Sequence, residues 1–186
     1  MADEMKRWGG LLALALLAFL AAPALGDEAA VGEGGGGYLP LGDGWATSGT
    51  ITITAPDDIS SFPLIPGQDN TAEGTLKVNA DAPWSVSVSD ADGTTGGKMT
   101  NYTSGQYNTT VKLGAFMGVK ATGTNSTGST VTLPTGGMIA RNTTSGTGGS
   151  DVDVPIIFNQ TVSWTDKVSA PSSVYRIVIT FTGSLA

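Results

Sequence analysis

From Trp84 to Asp90 the chain reads WSVSVSD, with apolar and hydroxyl side chains in strict alternation. A period of two puts Trp84, Val86 and Val88 on one face of an extended strand and Ser85, Ser87 and Ser89 on the other. A helix would scatter the same residues around its surface, so this stretch can bury a face only as a strand. The pattern recurs along the chain. GTITIT (residues 49–54) sets Ile51 and Ile53 against threonines, and GTLKVNA (74–80) sets Leu76, Val78 and Ala80 against Lys77 and Asn79. VKLGAFMGVKA, STVTLP, GGMIAR and VPIIFNQTVSW continue the series. In the stretch VYRIVITFTGSLA (174–186), Tyr175, Ile177, Ile179 and Phe181 share one face.

Turn signals separate these runs: PDD, IPGQDN, ADAP, DADGTTGG, NSTGS and SGTGGS. Many short strands divided by turns, with no helical periodicity after residue 26, predict an all-β fold. The expected architecture is a single antiparallel β-sandwich, Ig-like or jelly-roll-like, with a Gly-rich N-terminal arm. Its predicted core holds Trp84, Val86, Val88, Phe158, Trp164, Ile177, Ile179 and Phe181. In IIFNQTVSW, Phe158, Val162 and Trp164 share a face, with Gln160 the odd polar member. The short connection TDKVSAPSS predicts that this strand pairs antiparallel with the last one.

The N-terminus predicts where the protein works. Lys6 and Arg7 precede an apolar run from Leu11 to Leu20, and small residues follow through Gly26. That order is a secretory signal peptide, too short in its apolar part for a bilayer span. The expected division is 1–26 signal peptide, 27–44 flexible Gly-rich arm and 45–186 sandwich domain. An extracellular or cell-surface location follows, with no membrane insertion after cleavage.

Composition then narrows the chemistry. The chain has no histidine and no cysteine, which removes Ser-His and Cys-His dyads, disulfides and the usual zinc or copper sites. After residue 26 the glutamates are Glu28, Glu33 and Glu73, a poor supply for paired carboxylates across a cleft. No enzyme, cofactor or metal is expected. A net charge of −7 argues against nucleic acid as a partner. DADG (90–93) is a fragment of a calcium loop, but it lacks the later ligands and reads better as a turn.

Five of the chain's seven asparagines, Asn101, Asn108, Asn125, Asn142 and Asn159, stand in Asn-X-Thr sequons without an intervening proline. These are the predicted glycosylation sites, with Asn159 on an exposed strand face and Asn125 and Asn142 in loops. Trp45, Trp84 and Trp164, with Tyr102 and Tyr107, raise a carbohydrate-binding reading. Trp84 and Trp164 fall on apolar faces and are expected in the core, which leaves Trp45 as the exposed candidate.

The stretches GTLKVNADAPWSVSVSDADG, FNQTVSWTDKV and YRIVITFTGSLA, on a secreted, sequon-rich, cysteine-free chain, resemble archaeal cell-surface structural proteins of the methanogen sheath or filament type. The resemblance implies a glycosylated β-rich subunit that polymerises outside the cell. Some filament subunits of that kind pass a terminal strand into a neighbour, and GEGGGG in the arm departs from that pattern. The expected function is a structural subunit of an extracellular sheath, surface layer or pilus-like filament, with copies of itself as partners through β-edges. The alternative is a monomeric secreted carbohydrate-binding or adhesion module, with surface polysaccharide as its partner.

Overall fold

A computed structural model describes residues 49–167 and 172–186, so the expected signal peptide, the expected Gly-rich arm and Trp45 lie outside the described residues. The fold is all-β, and every strand pairing in it is antiparallel. In chain order the strands are β1 Ile51–Thr54, β2 Gln68–Ala80, β3 Trp84–Asp90, β4 Thr100–Thr103, β5 Gln106–Lys112 and β6 Gly118–Ala121. They continue as β7 Val131–Thr132, β8 Gly137–Asn142, β9 Val152–Val162, β10 Val174–Arg176 and β11 Ile179–Leu185.

One layer is a five-stranded sheet in the order β1-β2-β9-β6-β7. Opposite it stand two three-stranded sheets, β11-β3-β8 and β10-β4-β5. A single hydrophobic cluster joins the layers: Leu76, Val78, Val154, Ile156 and Phe158 from the first meet Trp84, Val86, Val88, Ile139, Ile179 and Phe181 from the second. All of these are buried, as the alternation in each strand demands. WSVSVSD is β3 to the residue.

The last run keeps its predicted face, with Tyr175, Ile177, Ile179 and Phe181 all buried. Its partner is different from the expected one. Arg176 pairs with Thr100 on β4, and Ile179 pairs with Asp90 on β3. Between those two partners the chain makes an excursion, residues 91–99, so one extended run zips against two strands in turn. The ladder is held across the gap by Ala91 N–H donating to the Val178 carbonyl at 2.9 Å. β9 pairs instead with β2 and β6, in the other layer. A period of two fixes which face is buried and is silent about which strand lies alongside.

VKLGAFMGVKA is two elements, the end of β5 and then β6, with a loop at residues 113–117. Gln160 explains that loop: buried on the core face, it donates from Nε2 to the Ala115 carbonyl at 3.2 Å. The β4–β5 hairpin turns on Ser104 and Gly105, with φ of 51° and 85°. Two residues of positive φ match the twist of a two-residue hairpin, and glycine accepts that conformation readily.

Ile179 is fully buried between the layers. Ile179→Ala is expected to lower unfolding stability by about 2–5 kcal/mol in thermal or denaturant melts, from lost burial and the cavity left behind.

Candidate modification and assembly sites

The fold sorts the five sequons into different environments. Asn101 on β4 is 7% exposed, and its Nδ2 donates to Ser173 Oγ at 2.8 Å. Its amide nitrogen is thus occupied inside the domain. Asn108 lies on the exposed face of β5, where its Oδ1 accepts from Thr110 N–H at 3.2 Å and from Thr110 Oγ1 at 2.7 Å. Asn142 closes β8 rather than lying in a loop, and its Oδ1 takes Thr144 N–H at 3.0 Å and Thr144 Oγ1 at 2.9 Å. These are Asx turns, in which the short side chain caps its own backbone two residues on. In both, the carbonyl half of the amide is engaged by the sequon's own threonine.

Asn125 lies in the turn closed by Ser126 N–H to the Gly123 carbonyl at 3.2 Å. The hydroxyl of its sequon threonine, Thr127, donates to the Ile139 carbonyl at 3.1 Å. Asn159 sits mid-sheet on β9, opposite Thr71 on one side and Gly118 on the other. It alternates with buried Phe158 and Gln160 and so points away from the core, half-buried by its neighbours. Peptide mapping of the chain secreted from a host that modifies Asn-X-Thr is expected to find sugar on Asn108 and Asn142 and a bare Asn101. Asn101→Gln should cost about 1 kcal/mol through its lost buried hydrogen bond, and Asn108→Gln should melt like the parent.

The DADG segment is a closed turn. Asp90 Oδ2 accepts from Gly97 N–H at 2.5 Å and from Thr95 Oγ1, while Asp90 Oδ1 accepts from Asp92 N–H at 3.1 Å. Asp92 Oδ1 accepts Thr94 N–H at 2.9 Å, and hydrogen bonds from Thr94 hold the Asp92 carboxyl below the usual carboxylate range. Lys112 reaches in from β5 and donates from Nζ to the carbonyls of Thr94 at 2.6 Å and Thr95 at 3.0 Å. Its ammonium stands against the carbonyl oxygens that a bound cation would use. Lys112 carries no local sequence signal, because its partners are backbone atoms seventeen and eighteen residues away. Lys112→Met should lower stability by about 1 kcal/mol, and millimolar calcium should leave the parent's melting temperature unmoved.

The aromatics divide. Trp84 is buried at 1% exposure, as its face requires. Trp164 is 80% exposed, which corrects its expected place in the core. β9 ends at Val162, and residues 163–166 form a turn closed by Asp166 N–H to the Ser163 carbonyl at 3.1 Å. Ser163 N–H donates back to Asp166 Oδ2 at 2.8 Å, and Gly114 N–H donates to Asp166 Oδ1 at 2.8 Å. Once the strand turns, alternation no longer sets the direction of Trp164; Thr165 and Asp166 were the turn signal beside it. On the β10–β4–β5 sheet, Tyr102 and Tyr107 meet edge to face at 5.0 Å, and Arg176 lies over Tyr102 at 4.6 Å.

The strand edges differ in chemistry. β7 has two residues, and β10 has three and carries Arg176. β8 carries Arg141 and Asn142 and has a register shift against β3. β5 carries Lys112 and the Asn108 sequon. These are the features that blunt sheet edges. β11, seven residues long, and β1, four, contain no charge, proline or sequon. They lie together: a Cβ at Gly183 would come within 2.8 Å of Ile51 Cδ1, and one at Gly49 within 2.5 Å of Leu185 Cδ1. Among the described residues no strand pairs with the outer edge of either.

Compared with known protein families, curated proteins and solved structures, the chain gives no significant match.

Proposed function

We propose that the protein is an exported, glycosylated structural subunit of an extracellular sheath, surface layer or pilus-like filament, and that copies join through the flank formed by β1 and β11. The observation that carries this reading is the contrast between edges. Among the described residues, four of the six edge strands are very short, charged or beside a sequon, while the β1–β11 flank is uncharged and rich in β-branched residues. An unblunted edge of this composition is a template for pairing with another chain. Stability supports the same reading, because a cysteine-free extracellular domain gains from each copy it binds. A sugar at Asn108 would stand on β5, in a different sheet from either strand of that flank.

A catalytic role has less support. The shallow depression on the outer face of β2 and β9 is lined by Glu73, Thr75, Thr122, Pro155 and Ile157, and it offers a single carboxylate. Hydrolysis by paired carboxylates needs two.

Thr182 and Ser184 are exposed on β11. Size-exclusion chromatography and negative-stain microscopy of the chain from Asp27 onward should show polymers or sheets. The double variant Thr182→Lys, Ser184→Lys should stay monomeric with an unchanged melting temperature, since lysine on an edge opposes pairing without touching the core. A parent chain that remains monomeric at high concentration overturns the reading.

A further inference from the structure

An indole that is 80% exposed forfeits the burial that normally places tryptophan inside, so its mounting calls for explanation. Two tied turns hold Trp164. Its own turn, 163–166, is fixed by both oxygens of Asp166, one to Ser163 N–H and the other to Gly114 N–H across the loop after β5. The facing turn, at Pro66–Gly67, is held by buried Asn70. Its Oδ1 accepts Ile65 N–H at 2.9 Å, and its Nδ2 donates to the carbonyls of Ile65, Gln68 and Gln160. Gly67 N–H donates to the Val162 carbonyl at 2.7 Å, locking that turn to the end of β9. Gly67 has φ of 76°, and a Cβ there would lie 2.5 Å from Trp164 Nε1. The indole therefore rests its N–H side on a glycine and turns most of its surface to water.

We propose that Trp164 is a stacking platform for a neutral pyranose ring. A tryptophan combines a broad apolar face with a fixed direction, and the C–H face of a sugar ring matches that face in size and polarity. Its surroundings suit hydroxyl groups better than an apolar partner. Ser163 and Thr165 flank it with exposed hydroxyls 2.9 Å apart, and exposed Gln68 and Asp69 follow Gly67. The carboxylates of Asp69 and Asp166, within a chain of net charge −7, disfavour an acidic glycan. The sugar can belong to a surface polysaccharide or to an N-glycan on another copy, since both present the same ring. The platform lies at the turn after β9, on no residue of the β1–β11 flank; its polysaccharide source is independent of the reading above, and its N-glycan source rests on the glycosylation proposed there.

The test follows the indole N–H resonance of Trp164, identified by its loss in Trp164→Phe. In one arm, cellohexaose and mannohexaose are titrated into unglycosylated protein. In the other, native glycosylated protein is compared before and after enzymatic removal of its N-glycans. A shift in either arm is expected, the first marking polysaccharide as the source and the second N-glycan. Where a hexasaccharide binds, Trp164→Ala should weaken it by about tenfold and Trp164→Tyr by less than about threefold, both with parental melting temperatures. Silence of the resonance in both arms, or hexasaccharide binding retained in Trp164→Ala, overturns the proposal. Polymer formation by Trp164→Ala, measured alongside, reports on assembly separately.

Discussion

The ladder between β2 and β9 runs from the Gln68–Val162 pair to the Val78–Val152 pair, and it sets the plane on which the other strands are arranged. Leu76, Val78, Val154, Ile156 and Phe158 project from it into the core. β1 adds to one side and β6 to the other, each antiparallel. The second layer is built from shorter pieces and depends on this surface to cover its own apolar faces. Surface electrostatics add little: Lys77 and Asp153 pair across the ladder at 3.4 Å, but both are well exposed. Burial and ladder hydrogen bonds must carry stability in a chain without disulfides.

What the sequence makes legible is facing. In β3, β9 and the run from Tyr175 to Phe181, the alternating residues that looked buried are buried, with Trp164 the exception. That residue fails the pattern because a turn, closed by Asp166, intervenes after Val162. Pairing was harder to read. Proximity in sequence suggested β9 as partner of the last strand, whereas the core is closed by contacts between distant segments. The β4–β5 hairpin is faint in the sequence because its alternation is among polar residues and tyrosines, around a Ser-Gly turn. Its signal was the turn dipeptide and not hydrophobicity.

The candidate sites divide in the same way. A sequon is visible as three letters, but the difference between Asn101, bonded to Ser173, and Asn108, open on β5, arises only when segments 72 residues apart meet. Lys112 filling the carbonyl side of the Asp90 turn is likewise a product of tertiary contact. Sheet edges are the extreme case. Charge and sequons on a strand can be read locally, but that the uncharged strands β1 and β11 end their sheets among the described residues becomes visible only with the pairing order.

The last run of the chain zips against both β3 and β4, and Trp84 finds its partner in Leu185, 101 residues further along. A polypeptide delivered N-terminus first therefore presents β3 long before its outer neighbour, β11. The outer side of β3 stays open until residues 179–185 arrive, and contacts of such long sequence separation form late and slowly. Closure of the second layer is thereby tied to delivery of β11. A chain that has emerged only as far as β9 lacks the strand that closes its second layer, and β3 waits with one side unpaired.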